Sequence, residues 1–208
     1  MSAPLRVGVH GATGKLGRLI IAQAATQPAD FLAVSLPRTG ALPPCDVVID
    51  VSRPEGLAAL LPRLHGQPLL VGTTGALPWD ALRAYADTAP VEVRANFSVG
   101  VPLLIDLLRV AAAALPPGWD VEIVELHHNQ KVDAPSGTAL RLAAAIDGPV
   151  THHSLRAGDA IGEHTVFLCG PGERIELKHI ATRREVFAIG ALRCATALVH
   201  APCGLKTA

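Results

Sequence analysis

Little in this chain points to nucleic acid, membrane or metal. Acidic and basic side chains are equal in number, 18 of each, so there is no excess of positive charge to meet a phosphate backbone or an anionic lipid surface. No uncharged run approaches the roughly 20 apolar residues that a membrane helix needs. The opening MSAPLRVGVHGATG has no charged leader followed by an apolar run and a cleavage site, so the protein is expected to be cytoplasmic. Cys45, Cys169, Cys194 and Cys203 show no metal-ligand spacing and no Cys-x-x-Cys pair, which reads as reduced thiols rather than ligands or bridges. Aromatic residues and methionine are scarce as well, a bias that assigns no function. Half of the 208 residues are apolar, enough to bury a core in one domain or in two small ones.

The first apolar run, Leu5 to Val9, leads into Gly11-Ala12-Thr13-Gly14-Lys15-Leu16-Gly17 and then a helix pattern at Leu19, Ile20 and Ala24. Strand, glycine turn and helix in this order form a cradle for a pyrophosphate, because glycine lets the backbone come close and the helix N-terminus attracts anions. A glycine turn that only packs a helix on a sheet is the plainer alternative. A second strand, Phe31 to Leu36, ends in Pro37, Arg38 and Thr39, where a dinucleotide fold often carries an acid for the ribose hydroxyl. With no carboxylate and a guanidinium nearby, NADPH is expected over NADH, which stays possible.

Further strands are read at Cys45 to Val51, Leu69 to Val71 and Val91 to Arg94, with helices from about Glu55 to Leu64 and Asp80 to Asp87. Strands alternating with helices predict a Rossmann-like, doubly wound α/β sheet, with ligands beyond the carboxyl ends of its strands. Gly72-Thr73-Thr74 and Ala95-Asn96-Phe97-Ser98 fall at such ends and are candidate cofactor residues beside the Gly11 turn. After Val101 the pattern changes. A long helix to Leu115 is followed by a strand from Trp119 to Leu126, a helix from about Thr138 to Ile146, and strands near Thr151 to Leu155, Glu163 to Cys169 and Arg174 to Ile180. This predicts a second α+β domain, about 99–186, on a mostly antiparallel sheet; 1–98 and about 187–208 make the dinucleotide domain, the last helix returning to it. A sheet with helices for one face only implies that its other face is buried in a homo-oligomer.

The densest chemistry lies in Glu125 to Leu140, ELHHNQKVDAPSGTAL. His127, His128 and Lys131 supply proton donors and positive charge, and the N–H groups of Gly137 and Thr138, at a helix start, can hold an anion. Ser136 stands with them on the substrate side, or serves only as a helix cap. Alternation along the strand puts His127 and His128 on opposite faces, so they should have different tasks. A small ligand with more than one negative group fits this set.

Taken together, the Gly11 to Gly17 turn, Gly72-Thr73-Thr74-Gly75, Ala95 to Gly100 and above all Glu125 to Ala139 resemble the 4-hydroxy-tetrahydrodipicolinate (dihydrodipicolinate) reductases of lysine and diaminopimelate biosynthesis. Arg156-Ala-Gly-Asp159, Gly162-Glu-His164 and Phe187 to Ala191 extend the match over nearly the whole chain. The resemblance implies an acid/base position at His127, a substrate contact at His128, a proton donor at Lys131 and a carboxylate site at Gly137 and Thr138. It places cofactor contacts at Gly11 to Leu16, Arg38, Gly72 to Thr74 and Ala95 to Ser98, and implies a homotetramer acting on a small dicarboxylate. The chain is shorter than is usual for that family, trimmed after Gly40 and between Ile146 and Arg156, and Pro37 replaces the acid that many members carry. The residues also leave open another NADPH-dependent imine or amino-acid aldehyde reductase, and a non-catalytic dinucleotide sensor.

Overall fold

Parallel pairing dominates the first part of the chain because its strands are short apolar runs separated by helices, and a parallel strand needs such a crossover. The computed structural model describes residues 3–207. The strands β1 (Leu5–His10), β2 (Phe31–Ser35), β3 (Val47–Asp50), β4 (Leu69–Val71) and β5 (Pro90–Val93) alternate with the helices α1 (Lys15–Ala25), α2 (Pro54–Leu60) and α3 (Trp79–Ala86). A sixth strand, β10 (Gly204–Thr207), closes the edge, giving the order β10-β5-β4-β3-β1-β2 with every pair parallel. Strand order reverses between β1 and β3, the switch point at which sheets of this kind hold ligands.

Period-two alternation sorts the core into two layers. Val47, Ile49 and Leu70 join one cluster with Ile20 and Ala24 of α1 and with Ala188, Ala191, Leu192 and Ala195 of α6 (Glu185–Leu198). Val48, Leu69 and Val71 join the opposite cluster with Leu57, Leu60 and Leu82. The last helix thus packs on α1 and across β3, β4 and β5. By backbone contacts the chain separates into two compact units, one running to Phe97 and resuming at Glu185, the other Ser98–Arg184.

The second unit contains α4 (Gly100–Ala114), β6 (Asp120–His127), α5 (Gly137–Ala143), β7 (Thr151–Arg156), β8 (Glu163–Gly170) and β9 (Glu173–Ile180). Its sheet has the order β7-β6-β8-β9. β8 and β9 join antiparallel, whereas β6 and β7 are parallel, a consequence of α5 lying between them in sequence. Along β6 burial alternates without a break, and Val121, Ile123, Glu125 and His127 face inward. Val121 and Ile123 meet Val166 and Leu168 of β8 and Leu104, Ile105 and Leu108 of α4. Burying such a side chain contributes about 1.5–3 kcal/mol, so the inner face is anchored at its apolar end. No helix among the described residues is long and apolar enough to cross a membrane.

Candidate active site

The inner face changes character along β6. Past Ile123 the register row Ser154–Glu125–His164–His179 crosses β7, β6, β8 and β9, and the next row pairs His127 with Arg156. Four polar residues therefore meet where an aliphatic sheet face would otherwise continue. Glu125 is 1% exposed, and a carboxylate so deeply buried must be fully hydrogen-bonded. Its Oε1 accepts from Arg156 Nη2 at 2.8 Å and from the Ser136 N–H at 3.3 Å, while Oε2 accepts from His127 Nδ1. Burial alone would push the Glu125 carboxyl up, but hydrogen bonds from Arg156, Ser154 and His127 outweigh it and hold the group at about 2.

His127 ends β6 and is 9% exposed. Burial pushes its imidazole below the usual value and the Lys131 and Arg156 cations add to that, against the opposing pull of Glu125. Lys131 lies in the loop after β6, where its Nζ donates to both Asp133 oxygens at 2.6 and 2.8 Å. Arg156 also donates to the carbonyl of Asp133 at 2.6 Å and to that of Leu155 at 2.7 Å, so one guanidinium ties this loop to the sheet. His128, just beyond the strand, is only half-buried, and its carbonyl accepts the Lys131 N–H at 3.1 Å.

Ser136 caps α5: its Oγ accepts from the Ala139 N–H at 3.2 Å and lies 3.1 Å from His164 Nε2. The hydroxyl is thereby used twice inside the protein. Gly137 and Thr138 are the first residues of α5, and Gly137 is exposed. His164 packs edge-on to His127, ring centroids 5.1 Å apart, and burial, with the charge of His127 adding, pushes it down to about 4. Glu125, His127 and His164 bring ligand atoms within 4.8 Å of one another. Both Glu125 oxygens are nevertheless already committed, one of them to a guanidinium, which favours a proton network over a cation site.

In the first unit the Gly11 turn leaves β1 at the switch point. Gly11 has φ +84°, and a Cβ at Gly17 would stand 2.3 Å from the Gly11 carbonyl oxygen, so α1 starts closer to the strand than any side chain would permit. Gly14 is the N-cap of α1, so Ala12 and Thr13 lie in the turn and Lys15 and Leu16 open the helix, an arrangement suited to a pyrophosphate. Beneath it lies a buried cluster: His10 Nδ1 and Asp50 Oδ1 are 2.6 Å apart, Ser52 Oγ donates to Asp50 Oδ1 at 2.7 Å and Thr73 Oγ1 to Oδ2 at 2.5 Å. Thr73 is buried and Thr74 exposed, so the Thr73 hydroxyl orders the turn and Thr74 presents the outward side chain. Arg38 is exposed, and the carbonyls of Pro37, Arg38 and Gly40 all accept from the Arg63 guanidinium, at 2.9, 3.0 and 3.0 Å. Ala95 and Asn96 follow β5, and Phe97 is buried with the α6 cluster. Ser98 begins the second unit, its Oγ 3.1 Å from His179 Nε2.

Sequence reasoning quoted Glu125, Arg156 and His164 within motifs but gave them no role, and it missed Asp50 and Arg63. Glu125 and His127 are two apart on a strand, which places them on one face, and that was the available signal for the first of them.

A parallel sheet with such a glycine turn at its switch point is the nucleotide cradle of an NAD(P)H-dependent oxidoreductase, and the ring of proton-handling groups in the second unit suits a reductase. The family described as "Dihydrodipicolinate reductase, C-terminus" matches residues 100–207. The 4-hydroxy-tetrahydrodipicolinate reductase of Stenotrophomonas maltophilia (strain R551-3) is 45% identical over 224 residues, 94% of this chain and 92% of the relative. That of Xanthomonas euvesicatoria pv. vesicatoria (strain 85-10) is 40% identical over 228 residues, 98% and 95% of the two chains. The dipicolinate-bound dihydrodipicolinate reductase from Paenisporosarcina sp. TG-14 shares the fold, with a TM-score of 0.74 at 22% identity, covering 98% of this chain and 97% of that one. The chain belongs to the dihydrodipicolinate reductase family.

Proposed function

We propose that the protein catalyses NAD(P)H-dependent reduction of 4-hydroxy-tetrahydrodipicolinate to tetrahydrodipicolinate in lysine and diaminopimelate biosynthesis. The observation that carries this reading is the His127–Glu125–Arg156 arrangement with Lys131 in the adjoining loop, in a chain 45% identical to a reductase so named. The substrate loses its hydroxyl as water, and the ring must then gain a hydride and a proton. When bound, the reduced nicotinamide supplies the hydride. The chain's own residues handle the proton and the two carboxylates. Since His127 is held below its usual pKa, its imidazole is mainly neutral at pH 7, so Lys131 is the first proton donor and His127 exchanges a proton at Nε2. The N–H groups of Gly137 and Thr138, with the helix start that Ser136 shapes, take one substrate carboxylate, and His128 and Lys131 take the other.

The first unit is the dinucleotide domain in this reading, with Gly11 to Leu16, Gly72 to Thr74 and Ala95 to Ser98 as cofactor contacts. NADPH is preferred because exposed Arg38, with no acid beside it, suits a 2′-phosphate. The second unit binds substrate and assembles a homotetramer. Its buried core lies on the inner face of the sheet, while Leu155 and Ile180, paired through Leu126 and Glu163 in one register row of the outer face, are 51% and 46% exposed.

The direct test follows NADPH absorbance while the purified protein is given the fresh product of dihydrodipicolinate synthase. Rapid oxidation supports the assignment. No oxidation with that substrate, but turnover of another cyclic imine or an amino-acid aldehyde, replaces it with a reductase of different specificity. Sedimentation at micromolar concentration tests assembly, and a monomer overturns that part.

A further inference from the structure

A histidine that exchanges protons must present a defined nitrogen, and a free imidazole divides its proton between two. The surroundings of His127 remove that ambiguity. Glu125 is ionised and can only accept, so Nδ1, which faces its Oε2, carries hydrogen whether the ring is neutral or charged. The titrating nitrogen is therefore Nε2. A Cβ at Gly162 would stand 3.1 Å from that atom, so any side chain at this position would crowd Nε2. Glu125 is itself fixed at Oε1 by Arg156 and the Ser136 N–H, and the guanidinium reaches on to the backbone of Asp133, whose carboxylate holds Lys131. The groups facing His127 are thus Glu125 on β6, Arg156 on β7, His164 on β8 and Lys131 in the loop.

We propose that Glu125, clamped by Arg156, is the positioning residue of this enzyme: it fixes His127 as the Nδ1–H tautomer with Nε2 toward the reacting groups, and through Arg156 sets the same register for the Lys131 loop. This rests on the reading of His127 as an acid/base group, and a carboxylate holding the far side of a reactive imidazole is a recurrent device for orienting it. Glu125 touches no substrate in this scheme.

The test uses full-length protein labelled with ¹⁵N-histidine, the His127 signals being identified by their loss in His127→Gln. The proposal requires that neutral His127 in the unaltered protein shows a protonated Nδ1 and a bare Nε2; a protonated Nε2 overturns it, whatever any variant does. Glu125→Gln keeps the volume but supplies an amide that can donate to Nδ1. It is expected to shift the proton to Nε2 and to lower kcat about a hundredfold while leaving the KM for NADPH unchanged. Glu125→Asp, which keeps the accepting charge, should restore the Nδ1–H signature and part of kcat. Wild-type kcat in a folded Glu125→Gln protein overturns the proposal. If instead His127→Gln keeps full turnover, the acid/base reading of His127 fails, and the nitrogen spectrum still decides which tautomer Glu125 imposes.

Discussion

Replacing Gly190 with alanine adds one methyl group at the tightest helix approach in the first unit. The new Cβ would lie 1.6 Å from the Phe97 carbonyl oxygen, against a practical minimum of 3.0 Å, so helix and loop must part by about 1.4 Å. Backbone oxygen cannot swing aside as a side chain can. The neighbours of Gly190 on α6, Ala188, Ala191 and Leu192, are all at most 2% exposed, and a gap of 0.5–1 Å already forfeits a quarter to a half of a contact's dispersion energy. Overpacking of this kind costs about 3 kcal/mol, the upper end for such insertions. Alanine offsets roughly 1 kcal/mol through its better helix propensity, leaving a net loss of about 2 kcal/mol. For a chain of this size that lowers Tm by roughly 4–8 °C. The effect should also reach the turn at Gly72, which is proposed to contact the cofactor, because the Phe97 ring fills the space beside Gly72, 2.5 Å from where a Cβ would be. Thermal unfolding by circular dichroism, with Ala197→Gly on the exposed side of the same helix to measure the propensity contribution, gives the comparison. A Gly190→Ala protein that melts at or above the wild-type temperature, with an unchanged KM for NADPH, would refute the reasoning.

His127→Gln and Lys131→Ala are each expected to lower kcat about a hundredfold, the usual scale for a lost proton donor; steady-state kinetics with saturating NADPH reads the loss. Arg63→Ala releases the carbonyls of Pro37, Arg38 and Gly40, so the KM for NADPH should rise more than that for NADH, and an equal change in both would contradict a role in 2′-phosphate binding. Acid should weaken the second unit in two stages. The folded-state pKa of His164 falls from 6.5 to about 4, so the unfolded chain binds the proton first and stability drops as pH falls through that window. The depressed Glu125 carboxyl, from 4.5 to about 2, continues the loss below it. Each stage is worth up to about 3 kcal/mol, so a urea midpoint at pH 4.5 equal to that at pH 7 would count against the buried, neutral His164.

Most strands and helices were legible because apolar runs such as Val47–Asp50 and Leu69–Val71 have the length and burial pattern of parallel strands. β10 was not, since Gly204–Thr207 has one apolar side chain and becomes a strand only by pairing with β5. The parallel β6–β7 pair was also hidden, as strand direction depends on where the chain returns after α5. At the candidate site His127 and Lys131 stood out by residue type. Glu125 looked like one acid in an alternating strand, and its meaning depends on Arg156, 31 residues away. The His10–Asp50 pair, 40 residues apart in sequence, likewise arises only when β1 and β3 lie side by side.

The uninterrupted alternation of β6 has a consequence for how this protein can change. Deleting Val124 would move every later residue of β6 one place along while Val121 and Ile123 keep theirs, and so reverse the sides on which the later ones point. Leu126 would turn inward, and the Glu125 carboxylate and His127 imidazole would turn outward with their former neighbours left behind. Core packing and the placement of Glu125 and His127 are written in the same two-residue rhythm, so drift in this segment is confined to swaps that keep the count.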